Sequence, residues 1–195
     1  MFTTLLALQT LTNLSFAPLG PGLPERWQVK QVGRNGAPSF QVTTGHALRI
    51  EANAQSGFGR HPLRAPIRPS RGRLMWRWRT GTAIKGASLR VRARADSPVR
   101  VFVEYDDGRV LYYSWGNAEP VGDRFAWGGE TRSVYVCRRA DDANGSWYME
   151  SHDPFTDYQR AFNRAPHPIV AVGIGADTDQ LGAHTVAEVG EVTWE

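Results

Sequence analysis

Apolar and polar residues alternate with period two through most of this chain. Trp27–Val32, Phe40–Thr43, Ala47–Ala52, Arg73–Arg79, Ser88–Ala93, Val99–Tyr105, Val110–Trp115, Ser133–Arg138, Trp147–Glu150, Ile169–Ile174 and Val186–Trp194 each read as a short strand. Gly, Pro, Asn and Asp fill the gaps between them. Many short strands at close spacing, punctuated by turn residues, predict an all-β sandwich or barrel. Asp107-Gly108 joins two strong runs and signals a tight hairpin. Asn35-Gly36 and Asn144-Gly145 are weaker turn signals. One segment has helical spacing instead. Asp153 can cap it, Pro154 suits its first position, and Phe155, Tyr158 and Phe162 share a face. A short helix is therefore expected near 154–162, ending by Asn163.

The phase of the alternation assigns faces. In Arg73–Arg79, Leu74, Trp76 and Trp78 point one way and Arg73, Arg77 and Arg79 the other. Leu89–Arg94 repeats the scheme with Arg90, Arg92 and Arg94. If the two runs are neighbours, six arginines share one face, and like charges directly opposite are unfavourable. That face needs acidic partners, solvent or a bound polyanion.

Charge is split along the chain. Residues 1–94 hold fifteen Lys+Arg against Glu25 and Glu51, a formal +13; residues 95–195 hold eight Arg against seventeen acids, a formal −9. Halves that interleave in space would neutralise each other, whereas a separated basic half would attract polyanions. At 195 residues the chain fits one all-β domain, which commonly runs to about 200–250 residues.

Seven Trp, six Tyr and eight Phe are a heavy aromatic load; most suit the core, and the remainder are sought in loops. Trp115, Trp127 and Trp147 lie in S-W-G-N, A-W-G-G and G-S-W-Y. Loop tryptophans beside polar residues can stack on sugar rings. Asp177-Thr178-Asp179 follows an apolar strand among glycines. Alternate carboxylates there could hold Ca²⁺, with Asp157, Asp153 or Asp123 completing the oxygen set. Asp157, Asp177 and Asp179 could equally bind ligand hydroxyls. Glu104, Glu150, Asp157, Asp177 and Glu188 are candidates for a glycosidase carboxylate pair, but spacing selects none. No catalytic residue is assigned. The five histidines show no zinc spacing. The single Cys137 precludes an intrachain disulfide and reads as a small strand hydrophobe.

Met1–Leu14 is uncharged, and Ser15-Phe16-Ala17 offers small residues for cleavage. Against a signal peptide, no basic residue precedes Arg26 and Pro18 would follow the cut. Residues 1–17 are read as a signal peptide or N-terminal segment, and 18–195 as a single sandwich domain. A cleaved leader would make the protein periplasmic or secreted; otherwise it is cytoplasmic. No stretch reaches the ~18 apolar residues that span a bilayer.

Several motifs recur in order. They are Phe16; Leu23-Pro24 with Trp27; Trp76 and Trp78; Asp96, Pro98 and Arg100; Tyr113, Trp115 and Gly116; Asp157, Tyr158, Ala161 and Phe162; and Asp177-Thr178-Asp179. Their order resembles an uncharacterised bacterial family, domain of unknown function 3047, over Phe16–Trp194. The chain departs from that pattern at Ala95-Asp96, where the family tends to paired Asp. It departs also at His152, where the family has Arg, and at Gln180-Leu181, where it has Asn-Thr. The resemblance implies an exported protein with a jelly-roll-like, antiparallel β-sandwich and brings no activity.

The functional expectation is a non-enzymatic, extracytoplasmic glycan-binding domain. Trp115, Trp127 and Trp147 would stack on sugars, while Asp157, Asp177 and Asp179 would bind hydroxyls or a structural Ca²⁺. One alternative is an anionic-polymer binder using Arg73, Arg77, Arg79, Arg90, Arg92 and Arg94. Another is a carboxylate-dependent glycan-cleaving enzyme.

Overall fold

A computed structural model describes Phe16 and residues 20–195. Most of the expected N-terminal segment lies outside the described residues. Phe16, within it, is fully buried in the main core.

The strands are, in chain order, β1 (Gly20–Pro21), β2 (Gln28–Gln31), β3 (Ser39–Val42), β4 (Leu48–Asn53), β5 (Ser56–Ile67), β6 (Leu74–Thr80), β7 (Ser97–Tyr105), β8 (Val110–Trp115), β9 (Arg124–Ala126), β10 (Arg132–Arg138), β11 (Tyr148–His152), β12 (Ile169–Asp177), β13 (His184–Val189) and β14 (Thr193–Trp194). Among the described residues one α-helix, α1 (Pro154–Phe162), follows β11. The back sheet has the order β1-β3-β4-β13-β6-β11, with β14 also on β6; the front sheet has the order β2-β5-β12-β7-β8-β10-β9. The two sheets make a jelly-roll-like β-sandwich. One pair departs from the antiparallel rule: β10 runs parallel to β8, because the connection through β9 returns it in the same direction.

The alternation places the core as expected on β6, β7 and β8. Leu74, Trp76 and Trp78 point inward from β6; Val99, Val101, Val103 and Tyr105 from β7; Leu111, Tyr113 and Trp115 from β8. Trp76 and Trp78 meet edge to face at 5.5 Å, and Trp78 meets Trp115 at 5.4 Å. Such tilted contacts suit the ring quadrupoles. Asp107-Gly108 turns β7 into β8, with Gly108 at φ 81° donating its N–H to the Tyr105 carbonyl. Asp153 caps α1 by accepting the N–H groups of Phe155 and Thr156, and Asn163 ends it in the left-handed conformation.

The expected run Val186–Trp194 is divided between β13 and β14. Ser88–Ala93 is not a strand: it is a turn leading into a 3-10 segment, Arg92–Arg94. Leu89 is its buried apolar residue, packing on Val134 and Val136 at the outer face of the front sheet, while Ser88 bonds Glu119 and Arg90 bonds Asp123. One buried apolar residue between polar ones mimics a step of an alternating strand. Conversely, β5 went unread because Gly57, Gly59, Pro62 and Pro66 interrupt its pattern.

The basic and acidic halves do interleave. Strand β4 pairs with β13 and β5 with β12. Arg60 meets Glu104 at 2.6 Å, Arg79 meets Glu188 at 2.9 Å, and Arg90 meets Asp123 at 2.6 Å. Among the described residues, no helix is long and apolar enough to cross a membrane.

Candidate functional site

The outer face of the front sheet carries a groove of about 360 Å³. Its floor comes from the outward phase of β5, β12, β7 and β8. Phe58 and Arg60, Gly173 and Gly175, Arg100, Phe102 and Glu104, and Val110 and Tyr112 alternate with the inward core set. The register aligns Arg60, Gly173, Phe102 and Tyr112 in one row across four strands.

Glycine makes room for the rings in this row. A Cβ on Gly173 would collide with the Phe102 ring, and one on Gly175 would lie 2.6 Å from Phe58 Cβ. Aromatic side chains therefore line the floor in sequence. Phe58 meets Phe102 at 5.0 Å, Phe102 meets Tyr112 at 5.5 Å, and Tyr112 meets Trp127 at 5.5 Å. Phe102 is buried beneath its neighbours, whereas Phe58, Tyr112 and Trp127 stay half-exposed. Trp127, which packs against the Leu89 cluster, forms one wall. Lys30 and Val32 of the β2 region form the other.

Polar groups are interspersed with the rings. Arg60 Nε donates to Glu104 Oε2 at 2.6 Å. Arg100 is buried, donates to Asp177 Oδ2 at 3.2 Å, and packs its guanidinium 4.9 Å from the Trp127 ring centre. Lys30 and Arg132 stand exposed at opposite sides, with no acid in salt-bridge range among the described residues. Glu104 and Asp177 are the acids lining the groove. They lie opposite Ala171 and Ser97, about seven residues apart along β7, or roughly 20 Å. A glycosidase pair needs about 5–10 Å.

The three expected platforms separate. Trp127 lies in the groove. Trp115 is fully buried: it ends β8 in phase with Leu111 and Tyr113, donates Nε1–H to the Arg139 carbonyl, and packs on Trp78 and Tyr148. No face of its ring is open to a sugar. Trp147 lies on the back sheet between Arg77 and Arg79, each 4.8 Å from its centre. Phe58, Phe102 and Tyr112 were missed. The signal was an aromatic residue on the polar phase of a strand, as in V-R-V-F-V-E-Y.

The six arginines share no face. Arg73 bonds Ser151, Arg77 and Arg79 clasp Trp147, and all three belong to β6 or its entry in the back sheet. Arg90, Arg92 and Arg94 lie in the turn over the front sheet, where Arg90 pairs with Asp123.

The acids also divide. Asp153 caps α1 and Asp123 holds Arg90, so neither joins Asp177 and Asp179. Asp157 belongs to a separate buried cluster. There Tyr113 OH donates to Asp157 Oδ2 at 3.1 Å. His152 stands between Asp157, 3.6 Å from Nδ1, and Glu150, 3.5 Å from Nε2. Glu150 also accepts from Trp78 Nε1 and Arg138 Nε. Burial alone would lower the His152 pKa, but the Asp157 and Glu150 carboxylates outweigh it and raise the value. Cys137 Sγ lies 3.6 Å from His152 Nε2, and burial pushes its thiol well up, which suits a core residue and not a nucleophile. The imidazole, stacked on Trp76 at 5.3 Å, fills the space between the two carboxylates. Asp177 and Asp179 instead meet Asp96, at the end of β12 beside the groove.

The family described as Protein of unknown function (DUF3047) matches residues 25–193, and the chain belongs to it. No curated protein matches this chain. Several solved structures share the fold. The xyloglucanase domain of NopAA from Sinorhizobium fredii, in complex with cellobiose, is 10% identical with a TM-score of 0.51, over 93% of this chain and 99% of that one. The xylan-binding module CBM15 is 12% identical with a TM-score of 0.50, over 94% of each chain. The endo-1,4-β-glucanase CelB2 is 14% identical with a TM-score of 0.50, over 92% and 98%. At these identities the likeness is one of fold.

Proposed function

We propose that this member of the family binds a glycan chain, without cleaving it, along the groove of the front sheet. The observation that carries the reading is the half-exposed set Phe58, Tyr112 and Trp127, lined up across the sheet around the buried Phe102. Sugar rings present apolar C–H faces to aromatic faces and hydroxyls to polar rims. Arg60, Glu104, Lys30 and Arg132 would take the hydroxyls, replacing the expected set of Trp115, Trp147 and Asp157. The wide separation of Glu104 and Asp177 supports binding over hydrolysis. The fold supports the reading as a setting, since one relative is a xylan-binding module and another holds cellobiose. The reading carries with it an extracytoplasmic location.

Lys30 and Arg132 favour a glycan that bears negative charge. Neutral and uronate-containing polysaccharides would be compared on an array and by calorimetry across a salt series. Trp127→Ala and Tyr112→Ala should each weaken binding about tenfold or more, equivalent to ~1.4 kcal/mol, while Trp147→Ala should not. An acidic ligand would add a salt-dependent component. No glycan binding, or binding untouched in folded Trp127→Ala/Tyr112→Ala, would overturn the proposal.

A further inference from the structure

Three carboxylates from distant parts of the chain converge at the C-terminal end of β12. Asp177 is the last residue of β12, Asp179 follows in the loop, and Asp96 precedes β7. Ser97 is the register partner of Asp177, so the sheet itself sets Asp96 beside the loop. One oxygen from each of the three lies within 4.8 Å of the others. The site is built and largely closed: Asp96 is 1% exposed and Asp177 7%. Asp96 accepts the N–H groups of Gln180 at 3.2 Å and Leu181 at 2.9 Å, which fixes the loop around it.

The charges do not balance. Arg100 pairs with Asp177 through Oδ2. Oδ1 of Asp177 is buried without a hydrogen-bond partner. A carboxylate oxygen of Asp179 lies within 4.8 Å of one of Asp177. Three carboxylates against one guanidinium leave two excess negative charges where water screens them poorly. A cation seated among the three carboxylates would offset that charge and give the buried Asp177 Oδ1 a partner. The donors are all hard oxygens, with no imidazole or thiolate among them, which selects Ca²⁺ over zinc.

We propose that Asp96, Asp177 and Asp179 form a Ca²⁺ site at the end of the groove, with Oδ1 of Asp177 as the oxygen left free for the ion. Backbone carbonyls or water would complete the six to eight oxygens that Ca²⁺ takes. The ion ties the loop after β12 to the entry of β7. Arg100 links it to the groove, because the same guanidinium holds Asp177 and packs on Trp127. The assignment rests on the converging carboxylates and the unpartnered Asp177 oxygen and does not depend on the glycan reading.

The test is calorimetric titration of the chelator-treated full chain with CaCl₂, together with thermal unfolding with and without Ca²⁺. One ion should bind per chain. The melting temperature should rise by about 5–10 °C at a hundredfold excess over Kd. Asp179→Asn, at the half-exposed rim, should weaken binding at least tenfold while keeping the wild-type circular dichroism spectrum. Asp106→Asn, on the β7–β8 turn, should bind as wild type. If Asp179→Asn fails to fold, Tb³⁺ decides on the wild type: emission sensitised through Trp127 and displaced by Ca²⁺ places the ion here. No heat and no melting shift up to about 10 mM Ca²⁺, above the range of weak extracellular sites, would overturn the proposal. So would binding that Asp179→Asn leaves unchanged, or Tb³⁺ emission insensitive to Trp127→Phe.

Discussion

The ring of Phe102 occupies the space that any side chain on Gly173 would need. The two are register partners on β7 and β12, so the contact is built into the sheet. Gly173→Ala should force the ring up into the groove and cost about 1–3 kcal/mol, as overpacking does. Phe102→Ala should relieve the clash. In a double-mutant cycle by urea denaturation, the pair should be more stable than the sum of the single changes predicts. Strict additivity would mean that the ring adapts without strain.

Trp115 and Trp127 should behave oppositely. Trp115 is fully buried, so Trp115→Ala should cost about 3–5 kcal/mol. Trp127→Ala removes a half-exposed ring whose partners are Tyr112 and Arg100, and should cost under about half of that while weakening glycan binding. Denaturation curves and binding isotherms on the same preparations separate the two effects. Equal stability losses would mean that Trp127 acts only as core.

His152 should make stability depend on pH. Its ring faces Glu150 and Asp157, with Cys137, Tyr113 and Tyr135 around it. The native pKa is raised despite burial. Its contribution is therefore fully present below the unfolded value of about 6.5 and is lost as pH rises through the higher native value. His61 acts with the opposite sign: burial, then Arg26, lowers its pKa, so its penalty applies below about 6.5. The two windows are separate. Between pH 6 and 9, wild-type stability should decline, and the curve for His152→Gln should be flatter. Parallel curves would show that the two carboxylates do not hold the imidazolium.

Phe16 should behave as a core residue although it precedes the sheets. It is fully buried and lies 5.9 Å from Trp27. Phe16→Ala should cost about 3–5 kcal/mol. A chain beginning at Pro18 should be less stable than one beginning at Phe16 by a similar amount, measured by chemical denaturation. Equal stabilities would show that neighbouring side chains close over the gap, and would leave the stretch before Pro18 free to be removed.

Strand phase and helix capping were legible because they are local. The inward set of Val99, Val101 and Val103 follows from period two alone, and the Asp153-Pro154 start and Asn163 stop of α1 are short-range chemistry. Strand β5 was not legible, since its glycines exist to admit partners from elsewhere: Gly57 accommodates the Lys30 carbonyl, and Gly59 the Leu23 side chain. Trp115 and Trp127 look alike in sequence, each beside glycine. One is buried by Trp78 and Tyr148 and the other lines a groove with Tyr112, and those neighbours come from strands and loops far along the chain. The alternation of residues was enough to predict an all-β sandwich or barrel and the inward side chains of strands such as β6 and β7. The groove and the Asp96 partner of Asp177 and Asp179 were decided only by tertiary structure, because strand register, and not sequence spacing, sets which outward side chains stand together.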